Sequence, residues 1–179
     1  MGAWNSRGLR GSTLEEIINY TNETYRQQGL ALIQKIPTPI TPVEFNGEKR
    51  TITLAYFEKQ STVDYIGAVQ GFPVCFDAKD TTQAYLPLQN IHEHQVAFMA
   101  DFRRQGGVSF LLVHFTRDDA FYLLPFEVLE EYWQGAAQGG RKSIPRAAFA
   151  ERYRLENRNG VHLDYLEGLN TYLSERPHK

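Results

Sequence analysis

The spacing of hydrophobic and polar positions changes along the chain, and each spacing predicts a type of element. Apolar residues three and four positions apart indicate helices, and β-branched and aromatic runs indicate strands. In chain order the pattern predicts a helix at 12–29, a strand at 30–36, an extended excursion at 37–60, strands at 61–69 and 72–79, a helix at 89–105, strands at 108–115 and 120–126, and helices at 127–133 and 163–173. This order is typical of an α/β domain with a mixed central sheet flanked by helices.

Two of these strands carry the strongest candidate chemistry. The residues between them, Gln70-Gly71, predict a two-residue hairpin loop in which Val69 faces Phe72. In that register Asp64 lies opposite Asp77. Like charges opposite each other destabilise a sheet. A divalent cation that offsets their repulsion is one interpretation, and a solvated strand face with two unrelated acids is the other.

The second strand of the hairpin has two different faces. Val74, Phe76 and Ala78 share an apolar face that is expected to pack on the core, whereas Cys75, Asp77 and Lys79 share the face expected to look into a cleft. Carboxylates bind hard cations through oxygen, and a neighbouring lysine can orient a water molecule or stabilise a charged phosphate. The acid–acid–lysine set therefore favours metal-dependent phosphodiester cleavage.

Other segments offer further candidates. Ser12 and Glu15 have the spacing of a helix capping box, so Glu15 is interpreted either as a cap or as a carboxylate of a nearby site. The excursion at 37–60 has three prolines in its first six residues, and so long an insertion indicates a function. Residues 141–158 contain six basic and two acidic side chains, which form either a phosphate-binding patch or a solvated helix face.

Charge and composition restrict where these residues can act. The 179-residue chain has a net charge of −2, so any binding to nucleic acid must come from local basic patches. The single cysteine, Cys75, excludes an intramolecular disulfide and a cysteine zinc cluster. No apolar run approaches the length of a membrane span and no signal core is visible, which predicts a cytoplasmic protein with no membrane partner.

Asp64 followed by Asp77-Ala78-Lys79 on the next strand resembles the core motif of the PD-(D/E)xK nuclease superfamily. Longer motifs are more specific, and they cover most of residues 8–130. They are Thr13-Leu14-Glu15, Gln28-Gly29-Leu30-Ala31-Leu32-Ile33, Lys35-Ile36-Pro37-Thr38-Pro39-Ile40, Ala55-Tyr56-Phe57, Ser61-Thr62-Val63-Asp64-Tyr65, Phe76-Asp77-Ala78-Lys79, Pro87-Leu88 and His92-Glu93-His94-Gln95. Together they resemble RecU, the Holliday junction resolvases of Gram-positive bacteria and some of their phages.

The resemblance implies a restriction-endonuclease-like fold and a homodimer that nicks a four-way DNA junction symmetrically in recombination and repair. It implies Mg²⁺, with Mn²⁺ as an alternative, and recombinase and branch-migration proteins as further partners. Asp64 and Asp77 match the metal-binding acids, Lys79 the catalytic lysine and Glu15 a further catalytic acid, while Gln95 matches a site-facing glutamine. Residues 37–60 match the family's stalk. The implied DNA contacts are Lys35, Lys49, Arg50 and Lys59, with Arg7 and Arg10 on a basic arm at 1–11.

The sequence also departs from the family in three places. RecU proteins usually carry glutamate where this chain has Asp77, which is one methylene shorter. Val63 stands where the superfamily motif has proline, and the extension at 135–179 matches less closely. Two alternatives stay open: a flap- or duplex-directed endonuclease of the same superfamily, and a non-catalytic junction-binding module.

Overall fold

The structure is a computed structural model that describes residues 13–57, 62–158 and 160–175, with backbone only at Phe57. Within these ranges, four helices flank the strands. They are α1 (Leu14–Gln27), α2 (Glu93–Arg104), α3 (Phe126–Ala137) and α4 (Tyr165–Glu175). The strands are β1 (Ala31–Lys35), β2 (Ile40–Asn46), β3 (Thr51–Phe57), β4 (Tyr65–Val69), β5 (Phe72–Thr81), β6 (Tyr85–Pro87), β7 (Val108–Phe115), β8 (Ala120–Pro125), β9 (Ser143–Pro145) and β10 (Arg154–Leu155).

Six of these strands form the central sheet, in the order β1-β4-β5-β7-β8-β10. β5 and β7 run parallel, and the other neighbouring pairs are antiparallel. The predicted mixed α/β sheet is therefore confirmed. β6 and β9 pair separately, as do β2 and β3.

The two faces of the sheet bury two separate hydrophobic cores. Val74, Phe76 and Phe110 belong to the core that includes residues of α1 and α4, while Cys75 and Leu111 belong to the core that includes residues of α2 and α3. The expectation that this face of β5 looks into a cleft was therefore wrong at Cys75, which is buried in a hydrophobic core. β5 is an interior strand between β4 and β7, and interior strands of helix-covered sheets are buried on both sides.

The start of α1 also differs from the predicted capping box. Thr13 is the N-cap: its hydroxyl accepts the Glu16 backbone N–H at 3.3 Å, and Glu16 Oε2 accepts the Thr13 N–H at 2.7 Å. The predicted cap residue Ser12 lies outside the described residues. Because Glu16 closes the box, the carboxylate of Glu15 is not used for capping.

Helix α2 begins later than its pattern predicted. Residues Leu88–Asn90 form a single 3₁₀ turn, Ile91 and the N-cap His92 are extended, and the α-helix begins at Glu93. The extended pair interrupts what the apolar spacing predicted as one continuous helix. This shift places Gln95 in the first turn of α2.

Helix α3 is longer than the predicted 127–133. It continues to Ala137, and the Gly140 N–H bonds back to the Gly135 carbonyl at 2.9 Å. Gly139 takes a positive φ of 88° beyond the helix end, so the chain turns away there.

The described part of the excursion after β1 contains the β2–β3 hairpin. Pro42 pairs with Ala55, and the register slips on either side of Glu44, as expected where proline interrupts a ladder. Several large apolar side chains of the hairpin are more than 40% exposed: Ile40, Val43, Phe45, Ile52, Leu54 and Tyr56. The Ile36 N–H donates to the Asp64 carbonyl at 2.8 Å, so the chain segments on both sides of the excursion meet at the start of β4.

Gly67 allows β1 and β4 to approach closely. A Cβ at Gly67 would lie 2.1 Å from the Leu32 carbonyl oxygen and 2.7 Å from Ile33 Cα. We expect Gly67→Ala to lower the free energy of unfolding by about 2–3 kcal/mol, because the backbone of β1 must move. Gly135→Ala in α3 is the matched control, since its Cβ enters open space, and we expect it to gain about 0.5–1 kcal/mol. Equal effects in urea unfolding would contradict this close approach.

Candidate active site

The β4–β5 hairpin brings two carboxylates together. Its register pairs Val69 with Phe72, as predicted, and continues unbroken to the start of β4. Asp64 precedes β4 by one residue, and its backbone N–H donates to Asp77 Oδ1 at 3.0 Å. In return, Asp64 Oδ2 accepts the Ala78 N–H at 2.9 Å. Each carboxylate is therefore held by a backbone N–H of the other segment, which fixes both acids beside each other.

Lys79 and Gln95 complete this group. The Lys79 ammonium forms an ion pair with Asp77 Oδ2, and it donates to Gln95 Oε1 at 3.3 Å. Gln95 Nε2 donates to Asp77 Oδ1 at 2.9 Å, while its Oε1 also accepts the His92 N–H at 3.1 Å. Gln95 therefore caps α2 and holds Asp77 with the same amide. The sequence signal for this role is a long amide beside an apolar helical stripe.

Burial sets the electrostatics of the pair. The Asp77 side chain is fully buried, and that of Lys79 is only 14% exposed. The pKa of Asp64 is raised to about 6, first by burial and then by the negative charge of Asp77. Burial also raises the pKa of Tyr65, and the charges of Glu15, Asp64 and Asp77 add to that shift. These raised pKa values indicate a buried site of negative electrostatic potential, in which a positive charge is stabilised.

Glu15 is near this position but does not join it. Its carboxylate forms an ion pair with Lys35, and both side chains are nearly half exposed. The Tyr65 hydroxyl donates to the Glu15 carbonyl oxygen at 3.3 Å and to Asn19 Oδ1 at 3.0 Å, so Tyr65 ties β4 to α1. Reasoning from sequence missed Tyr65 and Asn19, because neither carries a charge.

Among the described residues, no group of three histidine, cysteine or acidic side chains is arranged to hold a metal ion. The two-aspartate arrangement nevertheless suits a hard divalent cation. Asp77 Oδ2 is buried without a hydrogen bond and meets the Lys79 ammonium as an ion pair. Carboxylate oxygens are the donors that Mg²⁺ prefers, so Asp64 and Asp77 fit such an ion.

The predicted DNA contacts that the structure describes lie in two places. Lys49 and Arg50 are exposed at the turn of the β2–β3 hairpin, where Arg50 has a positive φ of 51°. Lys35 ends β1 and meets Glu15. The remaining predicted contacts, Arg7, Arg10 and Lys59, lie outside the described residues.

A mixed, helix-flanked sheet that brings two aspartates and a lysine together on adjacent segments is the arrangement of the restriction-endonuclease-like fold class. Within that class, the chain belongs to the RecU family, because the family model described as Recombination protein U matches residues 9–171. None of the helices among the described residues is long and apolar enough to cross a membrane.

Two relatives with more than 40% identity support the same assignment. The chain is 41% identical over 167 residues to "Holliday junction resolvase RecU" of Pediococcus pentosaceus, covering 90% of this chain and 83% of the relative. It is 42% identical over 168 residues to the protein of the same name from Lactococcus lactis, covering 91% and 78%. Among solved structures, it is similar to the Holliday junction resolvase Hjc of Archaeoglobus fulgidus, with a TM-score of 0.48, 10% identity, and coverage of 75% and 90%.

Proposed function

We propose that this chain is a cytoplasmic, structure-selective endonuclease that resolves four-way DNA junctions in recombination and repair. The observation that carries the proposal is the group formed by Asp64, Asp77, Lys79 and Gln95, in which two carboxylates and an ammonium meet at the junction of β4 and β5. The names of the relatives supply the substrate, a Holliday junction.

In this proposal Asp64 and Asp77 hold Mg²⁺, or alternatively Mn²⁺. When bound, the ion lowers the pKa of a water molecule and offsets negative charge on the phosphate. Asp77 Oδ1 stays fixed by the Asp64 N–H and by Gln95, so Oδ2 is the Asp77 oxygen that would hold the ion. Glu15 completes the acidic set by exchanging its ion pair with Lys35 for a contact at the site.

Lys79 supplies a positive charge beside the reacting phosphate. Its Nζ is held between Asp77 Oδ2 and Gln95 Oε1, and its side chain is mostly buried, so the ammonium works where water screens charge weakly. There it stabilises the negative charge that develops on the phosphate oxygens and orients the attacking water. Gln95 is a positioning residue in this scheme, because it contacts both Asp77 and Lys79.

The β2–β3 hairpin serves as the stalk that guides the junction to the site. Its turn presents Lys49 and Arg50, and Lys35 lies where the chain leaves the sheet. Contacts of these cations with phosphates make the affinity fall steeply with salt. Two copies of the chain, acting as a homodimer, place one active site on each of two opposing strands. Outside the described residues, the same role is proposed for Arg7, Arg10 and Lys59.

The test is cleavage of a synthetic four-way junction by the full chain, compared with a flap and a linear duplex of the same sequence. We expect symmetric nicks in the junction with Mg²⁺ or Mn²⁺ and no cleavage after chelation, since the carboxylates alone supply no Lewis acid. Analytical ultracentrifugation of the same preparation tests the dimer. A preference for flap or linear duplex would contradict the assigned substrate, and junction binding without cleavage under either ion would contradict the assigned activity.

A further inference from the structure

The basic stretch at 141–158 is divided by the fold into paired and unpaired cations. Four of its six basic side chains lie within 3.6 Å of a carboxylate and so are largely neutralised. These pairs are Arg146–Asp118, Arg152–Glu175, Arg154–Glu151 and Arg158–Glu156. Within the described ranges, Arg141 and Lys142 have no such acidic partner; the Arg141 Nε donates to Ser143 Oγ at 2.8 Å. The capacity of this stretch to bind phosphate therefore lies in Arg141 and Lys142.

Hydrogen bonds fix the backbone on both sides of these two cations. β9 pairs with β6, with Ser143 opposite Pro87, and the Leu88 N–H donates to the Lys142 carbonyl at 3.1 Å. On the other side, the end of α3 at Ala137 and its glycine turn lead directly into the same segment. The stretch at 135–143 is rich in glycine, but its last residues are anchored to β6.

A cleft of about 760 Å³ lies between these elements. Tyr85 and Trp133 contribute aromatic side chains to its lining, and Arg141 and Lys142 contribute the cations. Among the described residues that line it, none is an aspartate or glutamate, and Gln89 supplies an amide. Aromatic surface beside unpaired cations, without a carboxylate, is the chemistry that recognises a nucleotide: the base stacks and the phosphate meets the charge.

The cleft extends toward strand β5, which carries Asp77. A second depression of about 300 Å³ shares Gln83, Pro87 and Gln89 with the cleft, and it extends to Asp80 and Thr81, which follow Lys79 on β5. Two hydrogen bonds of the Thr81 hydroxyl hold the intervening loop: it donates to the Tyr85 carbonyl at 3.0 Å and accepts the Gln83 N–H at 3.1 Å.

Asp80, which lines this depression, contacts a histidine outside the lining. His114 Nδ1 lies 2.9 Å from Asp80 Oδ1, so one oxygen of this half-exposed carboxylate is engaged with the ring. A DNA strand that leaves the proposed cleavage site beside Lys79 has a path along this depression toward the cations of the cleft.

We propose that the cleft is a binding site for one unpaired nucleotide of a DNA strand, with its base against Tyr85 and Trp133 and its phosphate on Arg141 and Lys142. That the ligand is DNA rests on the proposed function. The base must be unpaired and unstacked, because a base within a duplex offers no free face to an aromatic side chain. The cleft would then hold a strand that is separated from its partner near the cleavage site.

The test uses the fluorescence of Trp133 in a chain with Trp4→Phe, in which Trp133 is the only tryptophan. Binding of decathymidylate in EDTA, where cleavage is blocked, is expected to quench this fluorescence through stacking. With the double variant R141Q/K142Q, the slope of log affinity against log salt should become shallower by about 0.7, the value for one neutralised phosphate of a single strand. The control is R152Q/R158Q, which removes the same charge from acid-paired positions and should leave the slope unchanged.

Two further measurements separate stacking from charge. Tyr85→Leu is expected to weaken decathymidylate binding at least about fivefold, and an abasic oligonucleotide of equal length should bind without quenching Trp133. Equal salt slopes for R141Q/K142Q and R152Q/R158Q, or equal quenching by the abasic strand, would overturn the site. Because binding is read without metal, a chain that binds in this way yet fails to cut junctions would refute the proposed function and leave the nucleotide site standing.

Discussion

Asp77→Asn is expected to reduce junction cleavage at least about 10³-fold while junction binding persists. The substitution keeps an acceptor for the Asp64 N–H and for Gln95, but it removes the charge that a divalent ion needs. It also turns an amide donor toward the Lys79 ammonium, so the free energy of unfolding should fall by about 1–3 kcal/mol. DNA binding should be spared, because the Asp77 side chain is fully buried and offers no surface to DNA.

Three measurements check this prediction: nicking of a labelled junction, junction binding by gel shift in EDTA, and the shift in melting temperature on adding Mg²⁺. We expect Asp77→Asn to lose nicking and the metal-dependent shift together. Asp101→Asn is the matched control, since it makes the same chemical change in an exposed surface pair with Arg104 and should alter none of the three. Undiminished nicking by Asp77→Asn would refute the assignment of the site.

Lys79→Met is expected to reduce cleavage about 10²–10⁴-fold for a different reason. It removes the ammonium but leaves both carboxylates, so a divalent ion can still bind. Without the ion, Asp77 is a buried charge that has lost its partner, and the free energy of unfolding should fall by about 3 kcal/mol. Added Mg²⁺ should recover much of that loss, because it replaces the missing positive charge.

Lys79→Met and Asp77→Asn are therefore predicted to respond to metal in opposite ways. Thermal unfolding with and without Mg²⁺ should show a larger stabilisation in Lys79→Met than in the natural chain, since no ammonium competes for Asp77 Oδ2. Arg104→Met serves as the control, because it breaks an ion pair that lies on the surface. A smaller metal shift in Lys79→Met than in the natural chain would show that the ion does not bind at Asp77.

Local patterns were sufficient to predict the central hairpin. A two-residue loop at Gln70-Gly71 determines which residues of the two strands face each other, so Asp64 and Asp77 were placed beside each other by parity. The lysine on the same face followed from the same alternation. These predictions depend only on residues close in sequence, and the register of β4 and β5 agrees with them.

Long-range packing decided what local patterns left open. The sequence could not show that β5 lies between β4 and β7, and this position buries Asp77 and places Cys75 in a second core. Gln95 reaches Asp77 only because α2 packs across that face of the sheet. Glu15 illustrates the opposite case, since its charge is satisfied by Lys35, twenty residues away.

The basic stretch at 141–158 shows most clearly how folding decides what composition leaves open. By composition its six cations were equivalent, and the choice between a phosphate patch and a solvated face stayed open. In the folded chain four of them pair with carboxylates: two within the stretch, one on α4, and Asp118. Arg141 and Lys142 instead lie beside an aromatic cleft.

The sequence by itself determined the hairpin register, the mixed α/β class and the acid–acid–lysine set, because these follow from side-chain alternation, turn residues and motif spacing. Only the tertiary structure decided which charges are buried, which are neutralised and which remain available to a ligand. The reason is physical: the strength of a charge depends on its partners and on exclusion of water, and both are set by segments distant in sequence.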